Sequence, residues 1–318
     1  MHLGTGLVCG SKILDLVEAG FDFTIFLADW HAWINNKLDG RMENIRLCGE
    51  YFKEGFESIG LSSDRIRYRW ASDLVQEDGY WKTVVEVAKN TTVPRLTRCL
   101  PIMGREMETK DMEAAALLYP CMQAADIFIL DVDCACAGVD QRKAHMLARD
   151  VAGRIGRRKP TSLHTHLLLG LGGPAEKMGT LFDEDESVNQ QISSKMSKSL
   201  PKSCIYIHDS PRDIEGKLRD AYCPPRQAVG NPVLEIARYV IFAGTNTLRV
   251  ERPQKYGGPL EFTGYSQLEA EYAAGRLHPL DLKNTVAAAL IKRLDPVRRH
   301  FSSKSALVNR IVELEATR

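Results

Sequence analysis

Residues 119–145, YPCMQAADIFILDVDCACAGVDQRKAH, constrain this chain more than any other stretch. Tyr119, Gln123 and Asp126 stand at i, i+4 and i+7, which places them on one face of a helix. Their neighbours Met122, Ala124, Ala125, Ile127 and Phe128 are apolar. A carboxylate in such surroundings is costly unless it is hydrogen-bonded. Asp131 to Ala137 then reads as a buried strand. It runs through Gly138-Val139-Asp140-Gln141 into a new helix. A strand, a glycine turn and polar residues at a helix start are where open α/β sheets bind ligands. A pocket lined by Tyr119, Gln123, Asp126, Asp140 and Gln141 suits a small polar ligand with a hydroxyl or an amine. Two plainer readings stand beside it: a buried polar network that only fixes helix packing, and a strand-to-helix turn with Asp140 as N-cap.

The rest of the chain supplies the frame. Strand patterns fall at 22–28, 64–70, 131–137, 163–169 and 203–208, and helical patterns at 41–59, 78–90, 111–130 and 141–155. Such alternation predicts an α/β fold with a doubly wound parallel sheet. Residues 91–118 break the alternation as an insertion, or more simply as a surface excursion. The acidic run 181–191 reads as a mobile loop. After Pro211 the pattern turns helical, at 211–220, 232–243, 265–274 and 279–301, so the domain boundary is set near residue 205. The tail from Ser302 contains one further helical pattern.

Apolar residues make up 44% of the chain, enough for a substantial core, and the charge is nearly balanced, with 42 Lys and Arg against 41 Asp and Glu. Nucleic-acid contact would therefore have to come from local patches. One candidate combines Arg142-Lys143 with RIGRRK at 154–159; another combines Lys292-Arg293 with Arg298-Arg299. Ordinary solvated helix ends are the plain alternative for both. The eight cysteines include no C-x-x-C pair, so neither a disulfide framework nor a zinc site is expected, and a reducing cytosol is the simplest setting. His164 and His166 lie in an apolar strand pattern and are read as packing residues. No apolar run is long enough to span a membrane.

Two further pieces point to a nucleotide. Ser194-Lys195-Met196-Ser197-Lys198-Ser199 offers two mobile cations and hydroxyl donors to a polyphosphate. His2-Leu3-Gly4-Thr5 runs straight into a helical pattern from Leu7 to Ala19, where a glycine could let a nucleotide approach the backbone.

Taken together, these segments resemble the tyrosyl-tRNA synthetases of the archaeal and eukaryotic type, a class I aminoacyl-tRNA synthetase family. HLGT is similar to the family's HIGH motif, and KMSKS matches its lysine loop letter for letter. YPCMQAADI and GVDQRKAHMLAR resemble its tyrosine-pocket segments, and LADWHAWINNKLDG (27–40) resembles the segment after its second sheet strand. AYCPP (221–225), GNPVLEIARY (230–239) and LHPLDLKNTVAAAL (277–290) resemble its C-terminal domain. The match runs from residue 1 to about 301.

The resemblance implies a Rossmann-like catalytic domain over 1–204, containing a connective insertion at 91–118 and a mobile loop with KMSKS at 170–200. A helical anticodon-recognition domain would span 205–318. It implies ATP with Mg²⁺, L-tyrosine and tRNA(Tyr) as the molecules bound, no metal held by the chain itself, a homodimer packed through the insertion, and a cytoplasmic enzyme without membrane contact. His2, Lys195 and Lys198 would be catalytic. ATP would meet His2, Gly4, Thr5, Gly138, Asp140, Lys195, Met196, Ser197 and Lys198, with Asp140 on the ribose. Tyr119 and Gln123 would hold the amino group of tyrosine, Asp126 its phenol, and Gln141 would also bind the tyrosine. Phe26, Ala28, His31, Leu74 and Ile127 match positions that line the pocket. Arg142, Lys143, Tyr256, His278 and Asp281 would touch tRNA, with Asp281 accepting hydrogen bonds from the first anticodon base and Tyr256 and His278 flanking it. An alternative reading of Asp281 is a plain cap on the helix from Leu282.

Two departures accompany the resemblance. The family carries a sheet strand and a glycine turn ahead of its HIGH motif, so further coding sequence is expected upstream of the Met1 codon. Thr5 stands where the family has its second HIGH histidine, and a threonine can donate a hydrogen bond but carries no charge. The rival readings are a tryptophanyl-type enzyme, or a degenerate paralogue that binds RNA without full catalysis.

Overall fold

The computed structural model describes residues 1–104, 112–175, 185–197 and 201–316. Packing divides the chain into two compact units. One comprises Leu16–Glu54, Ser62–Thr165 and Ala306–Arg318; the other comprises Met1–Asp15, Gly55–Leu61 and His166–Ser305. These units are cut at other points than the division at residue 204.

The first unit holds four strands in two parallel pairs. β1 (Phe23–Leu27) pairs with β2 (Ile66–Trp70), in register from Phe23↔Ile66 to Leu27↔Trp70. β3 (Cys134–Gly138) pairs with β4 (Thr161–Thr165), in register from Cys134↔Thr161 to Gly138↔Thr165. Parallel neighbours need a crossover, and the helices Met42–Ser58 and Arg142–Val151 lie in the two connections. The parallel α/β arrangement expected from the sequence is present, as two pairs rather than one continuous ladder among the described residues. β3 starts later than the apolar run suggests, because Asp131 takes a left-handed conformation (φ 49°) just after the Ala114–Ile129 helix ends.

The core of this unit is built on two helices. In Tyr80–Lys89 the residues Tyr80, Val84 and Val87 recur at i, i+4 and i+7 and are all buried. They join Cys121, Met122, Ala124, Ala125 and Phe128 of the Ala114–Ile129 helix in one cluster. Alanines at 124 and 125 let other side chains come close to the helix backbone. The insertion is not a surface excursion where it is described: Leu96 and Cys99 belong to the same cluster, and Leu100, Ile102 and Met103 form a second one with Ala116 and Ala144. Burial pushes the Cys99 thiol above its ordinary range, and burial with Cys99 beside it pushes Cys121 up to about 12.

In the second unit, helix starts follow Xaa-Pro signals. Ser210 caps Pro211–Asp220 in a reciprocal capping box with Asp213. Asn231 accepts from Val233 N and Leu234 N ahead of Pro232–Ile236, and His278 accepts from Leu280 N ahead of Pro279–Arg293. Proline fits the first helical position because its missing N–H would have no partner there. Residues 203–208, read as a strand, form none among the described residues: Ser203 ends a 3₁₀ turn (Pro201–Ser203) and bonds to Leu171, and the buried stretch 204–207 is tied to Met1–Leu3 through Leu3 N→Ile205 O (3.0 Å), Ile207 N→Met1 O (3.1 Å) and an isolated His2↔Tyr206 bridge. Gly6 permits this seating, since a Cβ there would lie 2.6 Å from Ile207 Cγ2. Residues 186–194 are helical (Glu186–Ser194), where the acidic composition suggested a loop. Asp185 initiates the helix by accepting from Ser187 N at 2.8 Å. A short antiparallel pair, β5 (Leu248–Val250) with β6 (Leu260–Phe262), interrupts the helices and has no counterpart in the sequence reading. Among the described residues no helix is long and apolar enough to cross a membrane.

A histidine pair, with His145 buried, gives this fold a pH signature. His145 on the Arg142–Val151 helix lies over His164 of β4, ring centroids 5.1 Å apart. Burial first, then His164, lowers the His145 pKa to about 4. The neutral form is kept on folding, so its stabilisation is complete above the ordinary histidine pKa and is lost as pH falls toward 4. From His145 alone, stability measured by urea titration is expected to drop by about 2 kcal/mol between pH 7 and pH 5, and His145→Gln should flatten that dependence.

Candidate active site

The Ala114–Ile129 helix presents Tyr119, Gln123 and Asp126 together, as their spacing requires. Asp126 is only 4% exposed. Its Oδ1 accepts from the Tyr80 hydroxyl at 2.8 Å. Its Oδ2 lies 3.1 Å from His31 Nε2. That contact is out of line for a hydrogen bond, so Asp126 Oδ2 and both His31 ring nitrogens stay buried without a hydrogen-bond partner. Gln123 Nε2 donates to Gln141 Oε1 (3.1 Å), and Gln141 Nε2 donates to Ile102 O (3.2 Å), while Gln123 Oε1 has no partner. The helix cluster and the turn after β3 therefore do meet, as the sequence suggested. Burial, then the charges of Asp126 and Asp140, hold the Tyr119 phenol well above its ordinary pKa; burial and Asp126 do the same to Tyr80. Both phenols are therefore donors at neutral pH.

A second carboxylate is buried on the helix that carries His31. Asp29, 2% exposed, heads the Asp29–Ile34 helix directly after β1. Its Oδ1 accepts from Trp30 N and Ser72 N, each at 2.9 Å, and its Oδ2 lies 3.5 Å from Arg46 Nε. Arg46 also donates to Ser72 Oγ. This tie locks the Asp29–Ile34 helix to the Ala71–Leu74 helix and so fixes His31 beside Asp126. The His31 ring meets Tyr119 edge to face (centroids 5.0 Å, 89°) and Phe26 likewise (6.2 Å, 78°). Leu74 and Ile127 sit in the apolar cluster against which Phe26 packs, and Ala28, at the helix N-cap, is exposed. Tyr80 and the Asp29–Arg46–Ser72 tie were missed from sequence. The available signal for Tyr80 was Gly79 (φ 85°), which starts a helix whose buried stripe Tyr80 leads.

The turn after β3 carries Gly138, Asp140 and Gln141. The N-cap of the Arg142–Val151 helix is Gln141, with no side-chain cap bond, so Asp140 is not the cap. Arg142 and Lys143 occupy the helix's first turn. Of the RIGRRK run, Arg154 and Lys159 line a cleft of about 820 Å³ together with Lys89, Arg95, Arg98 and Arg149. The sole carboxylate in that lining is Asp150. The second basic patch is different: Arg298 and Arg299 both pair with Asp295.

In the other unit, His2 Nδ1 accepts from Gly4 N at 3.1 Å. A Cβ at Gly4 would lie 3.0 Å from His2 Cε1, so the glycine gives the folded-back imidazole its room. Thr5 lies in the first helical turn that follows. Lys195 ends the Glu186–Ser194 helix and bridges Leu169; Met196 N donates to Leu168 O (2.6 Å) and Gly170 N to Ser194 O (2.8 Å). This part of the lysine loop is stitched down, with Met196 buried. Ser197 is described; Lys198 lies outside the described residues. Tyr256 is 60% exposed, with Lys255 Nζ 4.8 Å from its ring centroid. His278, and not Asp281, caps the Pro279–Arg293 helix. The Asp281 carboxylate makes no hydrogen bond or ion pair with any described residue.

The sequence model of the class I tRNA synthetases (W and Y) matches residues 1–181 and 187–295. The tyrosine–tRNA ligase of Aeropyrum pernix is 49% identical over 298 residues, covering 93% of this chain and 81% of the relative. That of Sulfurisphaera tokodaii is 46% identical over 315 residues, covering 99% and 85%. The crystal structure of tyrosyl-tRNA synthetase complexed with L-tyrosine from Pyrococcus horikoshii superposes with a TM-score of 0.90 at 41% identity, covering 98% of this chain and 88% of that one.

The Asp29 tie yields a stability prediction. Asp29→Ala leaves two main-chain amides without their acceptor and is expected to cost roughly 2–4 kcal/mol in urea unfolding, whereas Asp29→Asn, which keeps an oxygen for them, should cost less.

Proposed function

From the chain's membership of the class I tRNA synthetases (W and Y), as a tyrosine–tRNA ligase of archaeal type, we propose the following assignment of its residues to the two half-reactions. In the first, a carboxylate oxygen of tyrosine bonds to the α-phosphorus of ATP, the bond to the β-phosphate oxygen breaks, and pyrophosphate leaves. In the second, a hydroxyl of the terminal tRNA ribose attacks the tyrosyl carbonyl and AMP leaves. The attacking carboxylate is already ionised, so catalysis rests on alignment and on stabilising the charge of the departing pyrophosphate.

The observation that carries the amino-acid choice is the buried, unpartnered Asp126 Oδ2. A substrate phenol donating to it satisfies an acceptor that phenylalanine would leave stranded; rejection of phenylalanine by tyrosyl-tRNA synthetases is the standard instance of this effect. Gln123 Oε1, also without a partner, suits the ammonium group, with Tyr119 and Gln141 beside it. Phe26, Ala28, His31, Leu74 and Ile127 form the walls.

ATP enters as its magnesium complex, the ion travelling on the triphosphate. Lys195 and Lys198 serve the phosphates, His2, Gly4, Thr5, Met196 and Ser197 the nucleotide, and Gly138 and Asp140 the ribose. Arg142 and Lys143 meet the acceptor end of tRNA. The cleft around Arg95, Arg98 and Arg154 extends that basic surface. Tyr256, His278 and Asp281 meet the anticodon. Two supports for the last assignment are an exposed aromatic ring and a carboxylate that is free of helix capping. A carboxylate suits the paired N1–H and N2–H₂ donors of guanine. In functional terms residues 1–204 are catalytic and 205–318 read the anticodon, with 91–118 as the dimer contact and a cytoplasmic setting.

ATP–pyrophosphate exchange with single amino acids tests the assignment. Tyrosine should support exchange; tryptophan and phenylalanine should not. Lys195→Ala should slow adenylate formation far more than it weakens tyrosine binding, because the lysine acts on charge that develops as pyrophosphate leaves. Equal losses in rate and affinity would remove Lys195 from that role.

Asp281→Ala should weaken aminoacylation of tRNA while leaving exchange nearly intact, since the first half-reaction never involves the anticodon. Parallel loss of thermal stability and of both activities would make Asp281 a structural residue instead.

A further inference from the structure

We propose that Tyr80 is the positioning residue for amino-acid selection, holding Asp126 so that one carboxylate oxygen stays available to the substrate phenol. The inference rests on the tyrosine-pocket reading of Asp126 and adds a residue that never touches the substrate.

Tyr80 is fully buried, and its ring belongs to the helix–helix core. Its hydroxyl, 2.8 Å from Asp126 Oδ1, is the one polar group it brings into that core. An ionised carboxylate only accepts hydrogen bonds, so the Tyr80 hydroxyl must be the donor in this pair. An aspartate's terminal torsion is soft and two-fold. With Oδ1 tied to a ring that the core immobilises, the carboxylate plane is set, and Oδ2 is left beside His31 without a hydrogen-bond partner.

His31 makes this restraint matter. Its Nε2 stands 3.1 Å from Oδ2, close enough to bond but out of line. Released from Tyr80, the carboxylate could rotate into line with His31. The acceptor meant for the substrate would then be satisfied internally, and the penalty that excludes phenylalanine would fall away. Tyr80 thus maintains an unsatisfied acceptor in a buried site, and recognition of the phenol depends on that vacancy.

Tyr80→Phe tests this directly, because it removes one oxygen and keeps the ring that fills the core. In ATP–pyrophosphate exchange the variant should raise KM for tyrosine roughly ten- to hundredfold, the worth of a hydrogen bond to a charged group, with kcat little changed. Exchange with phenylalanine should improve, because the stranded acceptor that penalises it is gone, so the tyrosine-to-phenylalanine ratio of kcat/KM falls by at least that factor. Asp126→Asn supplies the control, and the double variant Tyr80→Phe/Asp126→Asn should discriminate no worse than Asp126→Asn alone. If Asp126→Asn collapses the ratio but Tyr80→Phe lowers tyrosine and phenylalanine exchange alike, or lowers kcat at constant KM, Tyr80 is core packing and the proposal fails. If Asp126→Asn leaves the ratio intact, the tyrosine-pocket reading itself is wrong.

Discussion

A carboxylate buried in an apolar helix–helix core organises the amino-acid pocket. Asp126 sits where an unpaired charge would be prohibitive, and the fold satisfies half of it. Tyr80, leading the buried stripe of the Tyr80–Lys89 helix, donates to Oδ1. The other half is left open beside His31. Much else in that unit reads as support for this arrangement. The alanines at 124 and 125 admit close packing around the helix that bears Asp126, and the cysteines at 99 and 121 fill space as protonated, buried thiols. Stability and selectivity pull in opposite directions here. A fully paired Asp126 would make a more comfortable core and a less selective site.

Asp29 does the complementary work. It is as buried as Asp126 but accepts two main-chain hydrogen bonds and contacts Arg46. Its role is to hold two short helices together so that His31, Phe26 and Tyr119 keep their edge-to-face contacts. Neither the Asp29–Ile34 helix nor the Ala71–Leu74 helix is long enough to be stable on its own. Their geometry comes from the tie between them. The two carboxylates differ in what surrounds the oxygen that accepts no hydrogen bond: Asp29 Oδ2 lies 3.5 Å from the Arg46 guanidinium, Asp126 Oδ2 beside the His31 ring.

In the other unit the same principle acts on the backbone. Proline-headed helices begin behind Ser210, Asn231 and His278, each side chain accepting an amide that the helix cannot satisfy. His278 therefore caps the helix whose first turn carries Asp281. The lysine loop is less free than its composition suggests, since Lys195 and Met196 are bonded to the 168–170 segment before the chain reaches Lys198.

The sequence alone determined the features with local causes. Periodicity placed Tyr119, Gln123 and Asp126 on one helix face, and helical patterns beginning at 211, 232 and 279 match the observed helix starts. The joining of the Gln123 and Gln141 clusters was also legible, because a strand and a glycine turn link them in sequence. Tertiary structure decided whatever depends on partners distant in the chain. Tyr80 reaches Asp126 across 46 residues and Ser72 reaches Asp29 across 43, separations that leave no periodic trace. Residues 203–208 have strand-like composition, yet a strand needs a neighbouring ladder, and their bonds to Met1–Leu3 amount to an isolated bridge. The acidic run 181–191 looked like a loop because charge lowers hydropathy; 181–184 lie outside the described residues, but from Glu186 the run is helical behind an Asp185 cap. Which oxygen of Asp126 is paired and which is open lies furthest from the sequence, since it depends on the relative placement of three side chains from three separate helices.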